Sequence, residues 1–339
     1  MGFIDRPLFS VIIPTRNRSP AFAVALQSVL GQRFDAFEVI VVDDGSCVPH
    51  QQRYRELIEA APRAARLLTL VPTAYRHGPS YARNYGVAHS RGSYLCFLDD
   101  DDQWTDPEHL GRVAQVIALS TVPIDLIFAN QKAFRDGIPA AGVTWIEGIE
   151  NRSRGGPDGA GAYAVTAAEL LGCPAHCHLN TTIASRTLYM EIGGLDEALR
   201  YEEDVDFFLR AIDRATLIKF LPVTVSRHNI PDPAAKTSMS TAETELSKRL
   251  YQLRVLDKAV LFSKRPELRH YAMRSRAFTL KHIAMEAARS HRLDSAAYYA
   301  RQGLAATPTL GWLTITASLA IRRRLAPSTS TKTNPARVF

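Results

Sequence analysis

Tyr94-Leu95-Cys96-Phe97-Leu98-Asp99-Asp100-Asp101-Asp102-Gln103-Trp104 joins an apolar run to four consecutive carboxylates. The apolar half has the length and composition of a buried strand. The acidic half repels itself, and no regular element needs four adjacent carboxylates. At the carboxyl end of a strand in an open α/β sheet, where ligand crevices form, such a cluster has a use. Hard divalent cations such as Mg²⁺ or Mn²⁺ take oxygen ligands and are held by carboxylates together with substrate phosphates. The competing reading is a solvated acidic turn before a helix that starts near Asp106-Pro107.

Upstream of this stretch, strand and helix alternate. Leu8–Pro14 and Phe37–Val42 are short β-branched runs closed by Pro and by Asp43-Asp44-Gly45-Ser46, which marks two buried strands. Ser19–Gln32 carries Phe22, Leu26, Val29 and Leu30 at helical spacing, with Gly31 as a stop signal. His50–Ala61 reads as a helix, Arg66–Val71 as a strand, Ser80–His89 as a helix and Ser93–Leu98 as the strand ending in the carboxylates. This alternation predicts an α/β fold with a mostly parallel, doubly wound central sheet, helices on both faces, and ligands at the carboxyl edge of its strands.

Downstream the pattern loosens. Helix is expected over Asp106–Leu119, Thr187–Ile192 and Glu203–Arg214, and strand over Ile124–Asn130 and Ile218–Val225. Gly148–Gly161 is a polar, Gly-rich loop expected to be mobile. Asn229–Ser240 reads as a flexible connection, and Thr241–Leu304 as almost wholly helical. The expected organisation is therefore a catalytic domain over 1–235, divided into halves 1–104 and 105–235. A helical region over 236–325 and a disordered tail over 326–339 follow it.

The 339 residues carry a net charge of +7 that is unevenly spread. Residues 1–239 hold 23 Lys+Arg against 28 Asp+Glu, whereas 240–339 hold 18 against 6. A basic segment of this kind points to an anionic partner surface. It lacks interleaved aromatics and recognition motifs, so nucleic acid is not the expected partner. Four scattered cysteines argue against a disulfide framework. Cys173-Pro-Ala-His-Cys177-His178 has no second ligand cluster to complete a zinc site. No secretory signal is evident, and Leu310–Ile321 is too short to span a bilayer. A cytoplasmic, reducing setting is expected.

Loops rich in polar side chains fall at each predicted strand end. The first is Pro14-Thr15-Arg16-Asn17 and the second Asp43-Asp44-Gly45-Ser46. Gly78-Pro79-Ser80-Tyr81-Ala82-Arg83-Asn84 and the acidic run follow, and Ile192–Ala211 (IGGLDEALRYEEDVDFFLRA) comes later. In that order and spacing, over roughly residues 8–230, they resemble the family 2 glycosyltransferases of the GT-A fold, inverting enzymes that use nucleotide sugars. The resemblance implies that Pro14, Thr15 and Arg16 line the nucleotide-base pocket, that Asp44 accepts hydrogen bonds from base or ribose, and that Arg83 sits close to the nucleotide. It implies that Asp99 and Asp101 are the acids of an Asp-x-Asp motif, with Asp101 the direct metal ligand and Asp100 between them at the donor. Asp204 matches the catalytic base, and His228 lies where some members supply a further metal ligand. Four acids in a row leave a second register open, Asp100 with Asp102.

Each residue also has a plainer reading. Asp43 and Asp44 form turns before Gly45, Arg83 would serve as a surface helix residue, and Glu202, Glu203 and Asp204 favour a helix N-terminus. His228 would be a loop histidine. Asp206 is best read as an i,i+4 partner of Arg210.

The reaction implied is direct displacement at the anomeric carbon of a nucleoside diphosphate sugar. Asp204 takes the proton of the acceptor hydroxyl, and a divalent metal (Mg or Mn) offsets charge on the leaving diphosphate. The acceptor is expected to be a saccharide or a lipid-linked sugar of bacterial cell-surface polysaccharide or glycolipid synthesis. The basic C-terminal region, with Trp312–Ile321 beside Arg322-Arg323-Arg324, would make peripheral contact with the inner face of the plasma membrane. Its alternative is a buried terminal helix with a solvated basic tail. The rival readings of the whole chain are a nucleotide-sugar or anionic-lipid binding protein without catalysis, and a sugar-nucleotidyltransferase. The latter resemblance would need a Gly-rich first loop where this chain has Pro14-Thr15-Arg16-Asn17, and a dinucleotide-dependent dehydrogenase fails similarly because no G-x-G-x-x-G follows strand one.

Overall fold

The computed structural model describes residues 6–61, 65–73, 76–140, 145–146, 148–231, 241 and 243–325. The tail over 326–339 and residues 232–240 of the Asn229–Ser240 connection lie outside the described residues. Two compact units are present: Met1–Glu243 with Lys258–Tyr271, and Thr244–Asp257 with Ala272–Phe339.

In the first unit the elements run β1 (Phe9–Thr15), α1 (Ser19–Leu30), β2 (Phe37–Asp43), α2 (Val48–Glu59), β3 (Ala65–Thr69), α3 (Pro79–Ala88), β4 (Tyr94–Phe97) and β5 (Gln103–Trp104). They continue with α4 (His109–Leu119), β6 (Leu126–Arg135), β7 (Ile138–Pro139), β8 (Tyr163–Val165), α5 (Ala167–Leu171), β9 (Thr182–Ser185), α6 (Arg186–Glu191), α7 (Glu203–Arg214) and β10 (Ile218–Asn229). Strand order is β3-β2-β1-β4-β9-β6-β10-β5, with β7 on β6 and β8 on β10. The predicted parallel strands are present, because β1, β2 and β4 are buried along nearly their whole length and a strand covered on both faces needs continuous apolar residues. Their core includes Phe9, Val11, Val39, Val41 and Cys96, with Phe22 and Leu26 of α1 packed against it.

The sheet has an antiparallel seam that the alternating pattern did not predict. β9 pairs antiparallel with both β4 and β6. β10 then runs parallel to β6, so two antiparallel steps restore the direction of β4. Consequently β10 ends at the same edge as β1, β2 and β4. It also runs four residues past the predicted Val225, to Asn229, which makes His228 a strand residue. α3 lies close on the sheet, since a Cβ on Gly86 would come within 2.6 Å of Ile12 Cγ2.

The Gly148–Gly161 loop is tied down by Asp158, whose carboxylate accepts from the Ala160 and Ala162 N–H groups and pairs with Lys219 at 2.9 Å. Asp206 has a second partner beyond Arg210: Lys258 Nζ lies 2.6 Å from it.

The remaining helices are α8 (Glu245–Phe262), α9 (Pro266–Arg289), α10 (Leu293–Ala306) and α11 (Leu310–Leu325). The core of the second unit packs Ala284, Ala287, Ala296 and Ala300 against Trp312 and Leu319. Small residues bring the helices close, and the Trp312 indole N–H donates to the Ala300 carbonyl at 2.9 Å. Among the described residues no helix is long and apolar enough to cross a membrane.

Candidate functional site

Register puts the polar loops side by side. Thr15 pairs with Asp43 across β1 and β2, and Ile12 with Phe97 across β1 and β4. The next residues on each strand therefore emerge together at one edge, where β10 also delivers His228 and Asn229.

The four carboxylates of the acidic run alternate in environment. The side chains of Asp99 and Asp101 retain 22% and 35% exposure, whereas Asp100 and Asp102 retain 8% and 0%. Asp100 accepts from the Thr15 hydroxyl at 2.8 Å and from Arg18 Nη1 at 3.1 Å. Asp102 accepts from His228 Nδ1 and the Asn229 N–H, both at 2.7 Å, and from the Asn180 amide. The even-numbered acids are thus spent on protein donors. Asp99 pairs with Arg83 Nη2 at 2.5 Å, and Asp101 with Arg18 Nη1 at 2.7 Å.

Electrostatics separate the four further. Burial pushes the Asp100 carboxyl up against the pull of Arg18 and Thr15. Burial, then the charges of Asp102 and Asp100, push Asp101 up to about 7. Asp99 lies below its ordinary value: burial opposes this, but Arg83 and His178 prevail. A group with pKa raised by neighbouring negative charge is one that a cation would ionise.

The donor chemistry fits a divalent metal. Carboxylate oxygens and imidazoles suit Mg²⁺, Mn²⁺ or Zn²⁺, and ligand atoms of Asp102, His178 and His228 lie within 4.8 Å of one another. Asp102 holds the His228 Nδ1–H, an arrangement that orients an imidazole and leaves Nε2 for a metal.

Arg83, which is buried, spans from the acidic run to α7. Its Nη1 lies 3.2 Å from Glu203 Oε1 while Nη2 holds Asp99. Burial would lower its pKa, but these two carboxylates raise it. Next to Glu203, Asp204 accepts from His176 Nε2 at 3.2 Å and from the Val205 N–H at 2.9 Å. Burial would raise Asp204, yet the His176 hydrogen bond and charge and the His178 charge hold it well below the usual carboxylate range. Glu202, just before the helix, is in the left-handed region at φ 64°.

Of the other predicted residues, Asp44 accepts from His77 Nδ1 at 2.8 Å and from the Gly78 N–H at 3.1 Å. Arg16 lies 3.8 Å from the same carboxylate. Pro14 and Thr15 end β1 beside them. Arg83, Asp99, Asp100, Asp101 and His228 are thus gathered with Asp204, while Asp44 and Arg16 form an adjoining cluster with His77.

Arg18, His77 and His176 carry no site role in the sequence reading, whereas the stretch His178-Leu179-Asn180 is expected there to line the pocket. Arg18 directly follows the Pro14–Asn17 loop, at the N-cap of α1. His176 stands in the Cys173–His178 stretch, weighed only as zinc ligands. The fold instead turns His176 toward Asp204 and brings His178 to 3.9 Å from Asp99.

Residues 10–145 match the family described as Glycosyl transferase family 2. An uncharacterized glycosyltransferase of Haemophilus influenzae is 27% identical over 251 residues, 73% of this chain and 76% of the relative. The GalNAc(5)-diNAcBac-PP-undecaprenol beta-1,3-glucosyltransferase of Campylobacter jejuni is 34% identical over 29% of this chain and 30% of its own length. Among solved structures, S. aureus TarS 1-349 in complex with UDP-GlcNAc aligns with a TM-score of 0.66 over 88% of this chain and 81% of that one. At 20% identity that likeness speaks for the fold alone. The segment similar to that family runs from Ser10 of β1 through β4 and the acidic run, the fold is of the GT-A type, and the chain is a glycosyltransferase.

Proposed function

We propose that the protein transfers a sugar from a nucleoside diphosphate sugar to an acceptor hydroxyl with inversion, aided by a divalent metal, with Asp204 as base. The observation that carries this reading is the Arg83 bridge: one guanidinium holds Asp99 and Glu203. It thereby sets the first turn of α7, and Asp204 with it, beside the acidic run. One carboxylate base near one cation site is the asymmetry that a single displacement needs.

Asp99, Asp101 and His228 are the proposed metal ligands. The greater exposure of Asp99 and Asp101 supports this register over Asp100 with Asp102; all four carboxylates meet protein donors, and Asp102 is the acid that stands with His178 and His228. A bound cation would neutralise charge on the departing diphosphate. Residues 1–104, with Pro14, Thr15, Arg16, Asp44, Arg83 and Asp100, would form the donor half, and 105–235 the acceptor half. Asp204, ionised through its bond to His176, takes the acceptor proton as the new bond forms. One base on the face opposite the leaving group gives inversion, by the same logic that places a base opposite the leaving group in inverting hydrolysis. The acceptor is proposed to be a saccharide or a lipid-linked sugar, a reading supported by the Campylobacter relative's printed acceptor and by the basic C-terminal hundred residues.

Thermal shift against a panel of nucleoside diphosphates, with Mn²⁺ and with EDTA, tests the donor site. A metal-dependent shift selective for one nucleotide, lost in Asp101→Ala, is expected. Asp204→Asn should retain the shift while donor turnover drops by about 10²–10⁴-fold. No shift with any nucleotide in folded protein would remove the reading.

A further inference from the structure

α11 is apolar on two opposite sides. At about 3.6 residues per turn, Trp312, Thr316 and Leu319 share one side, and these are buried in the helical core. Leu310, Leu313, Ala317, Ile321 and Leu325 share the other. Of these, Leu310, Leu313, Ile321 and Leu325 are 84%, 51%, 57% and 79% exposed. An ordinary surface helix carries polar residues on that face. Here the stripe runs the length of the helix and ends among the exposed Arg322, Arg323 and Arg324. Asp294 is the last acidic residue of the chain, so nothing on this helix opposes an anionic partner.

We propose that this outer face of α11 is a membrane-interface anchor that lies on a bilayer carrying anionic lipid. Leucine and isoleucine side chains enter the headgroup boundary, and the terminal arginines meet lipid phosphates. Trp312 and Leu319 meanwhile stay packed on their own core. Charge complementarity decides the occupant: an apolar stripe alone would suit a second copy of the chain, but two copies would bring Arg322 and Arg324 of both together, like charge against like, on a helix that carries no acid of its own. The proposal deepens the lipid-linked acceptor reading and does not depend on the chemistry at Asp204.

The test is co-sedimentation of the full chain with vesicles of phosphatidylcholine and phosphatidylglycerol, and with phosphatidylcholine alone. Wild type is expected to pellet with the anionic vesicles only, and less at high salt. Leu313→Glu with Ile321→Glu, both at exposed positions, should lose at least about tenfold in partitioning. Arg322→Ser with Arg324→Ser should lose roughly 30-fold on anionic vesicles and most of the salt dependence. Arg323 is left in place because it pairs with Asp294 at 2.5 Å.

Three results would overturn the proposal. One is wild type that ignores anionic vesicles. Another is a Leu313→Glu, Ile321→Glu variant that binds like wild type. The third is a vesicle-free dimer by sedimentation equilibrium that this variant dissolves, which would make the face an interface between copies. Nucleotide thermal shift on the same proteins reports on the donor site separately, so a failed donor site with intact vesicle binding would leave the anchor standing.

Discussion

His176 Nε2 donates to the Asp204 carboxylate at 3.2 Å, and this bond sets the ionisation of the proposed base. Burial by itself would raise Asp204. His176, whose own pKa is raised by that carboxylate against its burial, more than reverses the effect. Replacing His176 with Leu removes the donor and leaves the burial. The acid limb of the kcat/KM profile should then move to higher pH, by about one unit or more, while nucleotide affinity stays near wild type. A limb that stays in place would mean that another group controls the profile.

The alternation along Asp99–Asp102 predicts opposite stability effects for neighbouring acids in EDTA. Asp102→Ala strands His228 Nδ1, the Asn229 N–H and the Asn180 amide, at a cost of about 3 kcal/mol or more. Asp101→Asn removes a carboxyl that burial and its neighbours hold up near about 7. With a folded pKa above the unfolded value, the folded state keeps a proton that the unfolded chain has released, so stability falls as pH rises from about 4 to about 7. Differential scanning calorimetry should show that slope flattened in Asp101→Asn. Equal losses in both variants would contradict the alternation.

Arg83→Met leaves Asp99 and Glu203 facing each other with their shared cation gone. A loss of about 3–5 kcal/mol is expected at neutral pH, shrinking in acid as the carboxyls protonate. Arg83→Lys should recover little, because one ammonium cannot fork between two carboxylates as the guanidinium does. Urea unfolding of the three proteins at pH 5 and 7.5 checks both statements.

His109, 1% exposed and edge-on to Trp104 at 5.0 Å, has no partner for either ring nitrogen among the described residues. Burial lowers its pKa to about 4. Between about 4 and 6.5 the unfolded chain binds a proton that the folded one refuses, so stability drops as pH falls through that window, by about 3 kcal/mol in total. In His109→Phe that part of the pH dependence should vanish. Parallel stability curves for the two proteins would refute it.

The parallel half of the sheet was legible because β1, β2 and β4 are covered on both faces, and such strands read as nearly continuous apolar runs, broken in β1 and β2 only by Ser10, Glu38 and the strand ends. The seam was not. Thr182-Ile183-Ala184-Ser185 is four residues long with mixed polarity, and its place between β4 and β6 is decided by partners distant in sequence. The site divides along the same line. The carboxylates, Arg83 and Asp204 stand in motifs whose spacing survives in one dimension. Arg18 and His176 matter only through what folds onto them, the first through Asp100 and Asp101, the second through Asp204. His228 was picked as a candidate, but its strand setting followed from β10 pairing with β6 to its last residue, which a local pattern that fades after Val225 did not reveal.

The antiparallel seam also bears on how the chain folds. β4 and β6 each have a row of backbone N–H and C=O groups that only β9 satisfies on that side. β9 emerges long after β4 in synthesis, so a nascent chain carries an open strand edge through the interval. Open edges template pairing with other chains, and closing a distant pairing is slow. A protein truncated before residue 182 should aggregate as it is made, whereas one truncated after Tyr271, which keeps the whole first unit, should not, even though both contain the complete acidic run.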